Sequence, residues 1–228
     1  TYNVVHSFFA CENRGRMTVK NGKQLVMYFV KGIVPELSEN CEGRRPNALF
    51  HTRYQQLRFA DLSEYIFDWL EKKLPQSLYY HNTRHTQDVV IQVEIIGRAE
   101  GVSEEEVLLL QTAALLHDSG HVISYSEHER LGVDMACQTL PNFGYSKEQI
   151  DVISRLIMAT KMPVHPTDLL EKIICDADLD YLGRLDFSNG AHNLYQELRE
   201  RGMVGDEAAW VGQQIEFINR HQYYTQTA

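Results

Sequence analysis

Six of the ten histidines, His81, His85, His117, His121, His128 and His165, fall in the middle of the chain, several of them beside acidic residues. His81 and His85 are four residues apart in YHNTRHTQDV, a spacing that on a helix puts both on one face, with Asp88 three residues further along it. His117 and Asp118 close the apolar run AALLHD. An adjacent His-Asp pair at the buried end of a helix is costly unless it has a partner, and a divalent cation is the best one available. Asp178, in IICDADLDYL, is another acid at the edge of an apolar segment. Each feature alone has an ordinary reading: a solvated His pair, a satisfied buried imidazole, a carboxylate capping a helix. The succession His, His-Asp, Asp, each at an apolar helix face, is much harder to obtain by accident. His85, His117, Asp118 and Asp178 would give a mixed nitrogen and oxygen shell suited to Zn, Mn, Fe or Ni.

The pattern around these groups is helical. Leu62–Leu74 is an amphipathic run stopped by Pro75. Ser103 with Glu106 makes a capping box before VLLLQTAALLH, and Ser146 with Gln149 makes another before IDVISRLIMAT. Leu169–Leu182 and Glu207–His221 carry further helical periodicity. The expected fold class is mainly α, a helical bundle preceded by a short β-hairpin segment. In that segment Val4–Ala10 and Gln24–Val30 are β-branched and aromatic runs, with Asn13-Arg14-Gly15 and Asn21-Gly22 as turn formers, so it reads as hairpins. Hairpins alone rarely persist in water, so this piece should pack on something or belong to something larger. ENCEGRRP, Glu39–Pro46, has the composition of a linker. The expected organisation is therefore 1–38, a linker over 39–50, and a helical domain over 51–228.

A formal charge of -9 on 228 residues argues against a nucleic-acid binder, whose surface carries an excess of Lys and Arg. An acidic protein that handles phosphate must bring positive charge from elsewhere, and bound metal is the usual source. The apolar stretches are too short for a membrane span, which predicts no membrane partner for this segment. Cys11, Cys41, Cys137 and Cys175 are scattered, as in a reduced, cytoplasmic protein.

The order H…HD…D resembles the signature of the HD superfamily of metal-dependent phosphohydrolases, and YHNTRHTQDV looks like the YHNxxHxxDV signature of its cyclic-nucleotide phosphodiesterases. HDSGH is similar to that family's HDxDH, MATKMPVH to its ATDMxxH, and Gln214–Ile218 to its QxxFI, so the resemblance spans Tyr79 to Ile218. It implies an HD-domain helical bundle that hydrolyses a cyclic-nucleotide phosphodiester, cAMP or cGMP, with hydroxide activated by one or two divalent ions (Zn, Mn, Mg, Fe or Ni). Carried over by residue, His85, His117, Asp118 and Asp178 would hold the first metal, and Asp118 would bridge to a second. His81 would be the general acid, and Gln214 and Phe217 would contact the purine. His121 would lie near the second metal or in the shell behind it; His128, in SEHERL, resembles a motif of bacterial HD domains and would lie in that shell or be a solvated helix position. The sequence departs from the phosphodiesterase pattern at Gly120 and Lys161, where that family has Asp. The DADLDYLG setting of Asp178 and the stretch from Trp210 to Thr225 resemble bacterial HD proteins instead. His165 has no settled role, and His6, His51, His192 and His221 lack company that suggests chemistry.

FFACENRGRMTVKNGKQLVMYFVKG resembles the last strands of class III adenylate/guanylate cyclase catalytic domains. That resemblance implies a parent protein joining a cyclase to the HD domain in signal transduction, dimerising through the cyclase, with no cyclase activity in this segment. The competing readings are an HD phosphohydrolase of nucleotide monophosphates or another small phosphoester, a non-hydrolytic regulatory module, and a purely structural bundle.

Overall fold

The computed structural model describes residues 2–228. They divide into a unit ending at Leu57 and a unit Arg58–Ala228. The first unit opens with a helical turn, α1 (Tyr2–Val5), followed by the antiparallel strands β1 (Phe9–Thr18) and β2 (Gln24–Ile33). Asn21-Gly22 makes the turn, with Gly22 at φ 78°. Asn13-Arg14-Gly15 does not. It is a bulge inside β1, where the register shifts between Asn13 and Gly15. Gly15 sits at φ 100°, and its N–H donates to Asn13 Oδ1 at 2.7 Å. The residue types that favour a turn also favour a bulge, because both need a positive φ and a local side-chain acceptor. There is thus one hairpin rather than two, and Val4–Ala10 is mostly helical turn before pairing begins at Phe9. Glu39–Pro46 is an ordered loop: Ser38 Oγ accepts from Gly43 N–H at 2.8 Å, and Ser38 pairs with Pro46.

A long helix, α2 (Ala48–Lys73), begins in the first unit and ends in the second. The remaining helices are α3 (Thr83–Ala99), α4 (Glu104–Leu116), α5 (His128–Thr139), α6 (Lys147–Ala159), α7 (Leu169–Asp178), α8 (Phe187–Glu200) and α9 (Glu207–Arg220). The protein is mainly α, as the periodicity predicts. Both expected capping boxes form, at Ser103 with Glu106 and at Ser146 with Gln149. Asn82, Asp168 and Asp206 cap α3, α7 and α9 by accepting from backbone N–H groups in the first turn. Among the described residues no helix is long and apolar enough to cross a membrane.

The position of α4 decides the rest. From Val107 to Leu116 every residue except Gln111 is buried, and a helix that is apolar on all sides can only run through the core. It packs against α3, α6 and α7, whose Val93, Ile96, Ile153, Ile157, Ile173 and Ile174 share its core. At Gly132 of α5 an added Cβ would stand 2.8 Å from the Leu116 carbonyl and 3.2 Å from that of His117, so α5 lies directly on the exit of α4. The residues after Leu116 are therefore delivered into the interior.

Leu110, fully buried in α4, sets the scale of this packing. Leu110→Ala should lower the unfolding free energy by about 2–5 kcal/mol in a urea titration. Ser103→Ala, which removes only a cap, should cost about 1 kcal/mol.

Candidate metal centre

Three helix ends meet where α4 exits. His85 lies in the first turn of α3, His117 caps the C-terminus of α4 with Asp118 next in the chain, and Asp178 is the last residue of α7. His81 is not on the helix with His85, as the spacing predicts. Asn82 takes an extended conformation as the N-cap and starts α3 at Thr83, leaving His81 in the preceding turn. The two rings still approach to 5.8 Å between centroids. Asp88 does not join the group of donors and pairs with Arg184 at 3.2 Å.

The four donors expected to bind metal converge. His85 Nε2 is 3.0 Å from Asp178 Oδ1 and 3.5 Å from Asp118 Oδ2, while His117 Nε2 is 3.1 Å from Asp118 Oδ2 and 3.4 Å from Asp178 Oδ1. Donors bound about 2.1 Å from one ion lie about 3.0 Å apart at right angles and about 3.4 Å apart at the tetrahedral angle. The observed spacings match that range. His117 Nε2 and Asp118 Oδ2 are both buried and have no hydrogen-bond partner, although they face each other. Buried polar atoms are rarely left so, and a shared cation satisfies both. His117 Nδ1 is 2.7 Å from the Ala114 carbonyl, which can only accept, so Nδ1 carries a proton and Nε2 is the nitrogen turned to the cluster. The residues present fit a divalent ion.

The charges of the cluster are interdependent. Burial alone would push Asp118 up, but the charge of His117, its hydrogen bond and the charge of His81 hold its carboxyl well below the ordinary value. Asp178 is likewise depressed against the effect of burial by hydrogen bonds and charge from His117 and His85. Burial opposes a proton on His117, yet Asp118 and Asp178 raise it well above the imidazole range. The metal-free cluster thus keeps protons that a cation must displace, since its ligands are carboxylates and neutral imidazoles.

Asp118 faces two ways. Its Oδ2 joins the first four donors, while Oδ1 is 3.7 Å from His121 Nε2 and 3.6 Å from His128 Nε2. His121 and His128 stack at 3.9 Å, and both nitrogens of buried His121 lack a partner. Burial lowers His121 to about 3, so its ring is neutral at physiological pH and able to ligate. His81, Asp118 and His121 make a second group whose donor atoms lie close enough to hold an ion, and Asp118 is common to both groups. The glycine of HDSGH also has a cause. An added Cβ at Gly120 would collide with the His128 backbone, so the Asp of HDxDH has no room, and α5 brings His128 to this place instead.

His81 is held by a residue that sequence reasoning missed. Glu197 of α8, fully buried, accepts from His81 Nδ1, from the backbone N–H of Tyr80 at 2.9 Å and of His81 at 3.1 Å, and from the Tyr125 hydroxyl at 2.9 Å. These bonds and the His81 charge depress Glu197 to about 2 although burial opposes it. Burial works against a charged His81, but the bond to Glu197 and the charges of Asp118, Glu197 and Asp178 outweigh it and raise its pKa. Glu197 lies 116 residues from its partner in an ordinary amphipathic pattern, which carries no local signal of the role.

A cavity of about 430 Å³ opens over the cluster, with His81, Asp118, His128, Glu129 and Asp178 at its polar end. Trp210, Gln214 and Phe217 of α9 and Leu194 and Leu198 of α8 line the rest, so both residues expected to contact a base reach the cavity. The Gln214 side-chain oxygen is buried without a partner, as is one oxygen of Glu129. Lys161 also borders it. His165 is exposed in a neighbouring pocket, and His221 packs on Phe217, neither of them in the cluster.

Residues 83–180 match the protein family described as HD domain. A predicted HD superfamily hydrolase from an uncultured Thermotogales bacterium is similar at 22% identity and a TM-score of 0.46, over 69% of this chain and 89% of that one. YpgQ of Bacillus subtilis, solved in complex with ADP, is similar at 23% identity and a TM-score of 0.46, over 69% and 78%. A search of curated protein sequences finds no match.

Removing His117, Asp118 or Asp178 should abolish metal bound to the purified protein, measured by elemental analysis, whereas His81→Ala should retain it. Because His117 holds its proton above the usual range, metal affinity should rise as pH increases. Calorimetry in buffers of different ionisation enthalpy should register proton release on binding.

Proposed function

We propose that the HD domain at residues 83–180 is the centre of a metal-dependent phosphohydrolase, and that its substrate is a nucleoside 3′,5′-cyclic phosphate. The observation that carries this reading is the set of buried, mutually facing donors of His85, His117, Asp118 and Asp178 beneath an open cavity. Without a cation the polar end of that cavity would repel an anionic substrate, since Asp118, Asp178 and Glu129 border it. A bound ion or ion pair would supply positive charge for the phosphoryl oxygens and lower the pKa of an attacking water.

The chain's own groups do the remainder. Glu197 orients His81 through Nδ1, leaving Nε2 to hold a proton for the leaving oxygen. Tyr125 and the backbone N–H groups of Tyr80 and His81 fix Glu197 in turn. Gln214 would bond a purine edge and Phe217 would cover its face, in a cavity whose volume falls in the range of small-molecule sites. The N-terminal resemblance to a cyclase supports a cyclic substrate by association. A second reading, hydrolysis of a nucleoside monophosphate, is favoured by Lys161 at the cavity, because an ammonium suits a doubly charged phosphomonoester better than a singly charged diester.

Metal-loaded protein should cleave cAMP or cGMP in a panel that includes nucleoside monophosphates, and His117→Ala should not. Turnover confined to monophosphates would remove the cyclic substrate and keep the hydrolase; metal binding with no turnover would remove both. The His81 acid works below its raised pKa, so the rate should fall as pH climbs through that value. Glu197→Gln takes away the partner that raises it, and the alkaline limb should then move to lower pH.

A further inference from the structure

The segment Gln222–Ala228 contributes no donor to the cluster, yet it grips the chain on both sides of Asp178. Asp176, two residues earlier, is fully buried. It accepts from the Tyr224 N–H at 3.0 Å on each oxygen, and from the N–H and hydroxyl of Thr225, each at 2.7 Å. On the other side the Tyr223 hydroxyl donates to the carbonyl of Leu179 at 3.3 Å. Residues two apart on a helix point to opposite sides. The end of α7 therefore shows Asp178 to the cluster and Asp176 to this segment. Helix ends fray unless something holds them, and Leu179 already leaves helical geometry, at φ -101° and ψ 8°. A metal ligand at such a position depends on outside ties for its direction. The far end of the segment is fastened separately, with Thr227 donating to Glu100 from its N–H at 3.0 Å and its hydroxyl at 2.6 Å.

We propose that residues 223–225 form a clamp that sets the direction of Asp178, with Asp176 as its positioning residue; this rests on reading Asp178 as a metal ligand. The clamp couples the segment after α9 to metal affinity.

The test is Mn²⁺ affinity of the whole metal-free chain, by calorimetry, with thermal unfolding measured beside it. Thr225→Val deletes one tie to Asp176, and Tyr223→Phe deletes the tie to Leu179 while leaving those to Asp176. Each should weaken Mn²⁺ binding by about tenfold, the usual scale for groups that orient a ligand. Thr225→Ser keeps the hydroxyl and should bind like the native protein, and so should Glu100→Ala, which removes the acceptor of Thr227 and frees only the far end. Thr225→Val and Tyr223→Phe proteins that melt lower but bind Mn²⁺ normally would reduce the segment to a structural element and overturn the proposal. Equal weakening by Glu100→Ala would do the same, as general loosening. A native protein that binds no Mn²⁺, Zn²⁺ or Ni²⁺ would instead refute the metal-centre reading beneath it.

Discussion

A helix that is apolar on every side delivers whatever follows it into the protein interior, and α4 is followed by His117 and Asp118. Taking a carboxylate out of water costs several kcal/mol even after relaxation, unless opposite charge and hydrogen bonds replace the solvent. The surrounding architecture answers that constraint. The start of α3 brings His85, the end of α7 brings Asp178, and α5 lies close enough, by virtue of Gly132, to bring His128. The groups balance one another only in part, because several of their buried atoms face each other without bonding. A cation at the common centre would complete the balance, and the residues present fit one.

Asp118 is the joint between two halves of the site. One oxygen belongs with His85, His117 and Asp178, and the other faces His121 and His128. The two halves have different electrostatics. His117 is held charged by two carboxylates, whereas His121, surrounded mainly by other rings, is driven neutral by burial. The first half thus gathers two carboxylates around a charged ring, whereas the second sets a neutral His121 against a single carboxylate oxygen.

What could be read from the sequence follows from how local each signal is. The helices around the site announce themselves through capping boxes and apolar faces, because Ser103 with Glu106 and Ser146 with Gln149 act within one turn. His85, His117, Asp118 and Asp178 stand out since each puts a polar group where its neighbours are apolar. His81 was misplaced onto a helix because its spacing to His85 is helical, while Asn82 prefers to cap and breaks the pattern between them. The bulge at Gly15 was hidden for a similar reason, a turn and a bulge asking the same of the residue. Glu197, Asp176 and Glu129 left no trace. A buried acid in an amphipathic helix looks like any solvated acid until the fold supplies its donors, and those of Glu197 come from 72 to 117 residues away.

Two of those acids, Glu197 and Asp176, point to a division of labour in a protein with a formal charge of -9. Glu197 gives its charge to a histidine ring and Asp176 takes its bonds from backbone N–H groups and a hydroxyl, while Asp118 and Asp178 stay with the histidines of the cluster. Had Glu197 been open to the cavity, it would have added to the repulsion of an anionic substrate. Instead its charge is taken up by the His81 ring. Glu197 and Asp176 are thus matched by their own partners, while Asp118 and Asp178 lie among the histidines whose arrangement fits a cation.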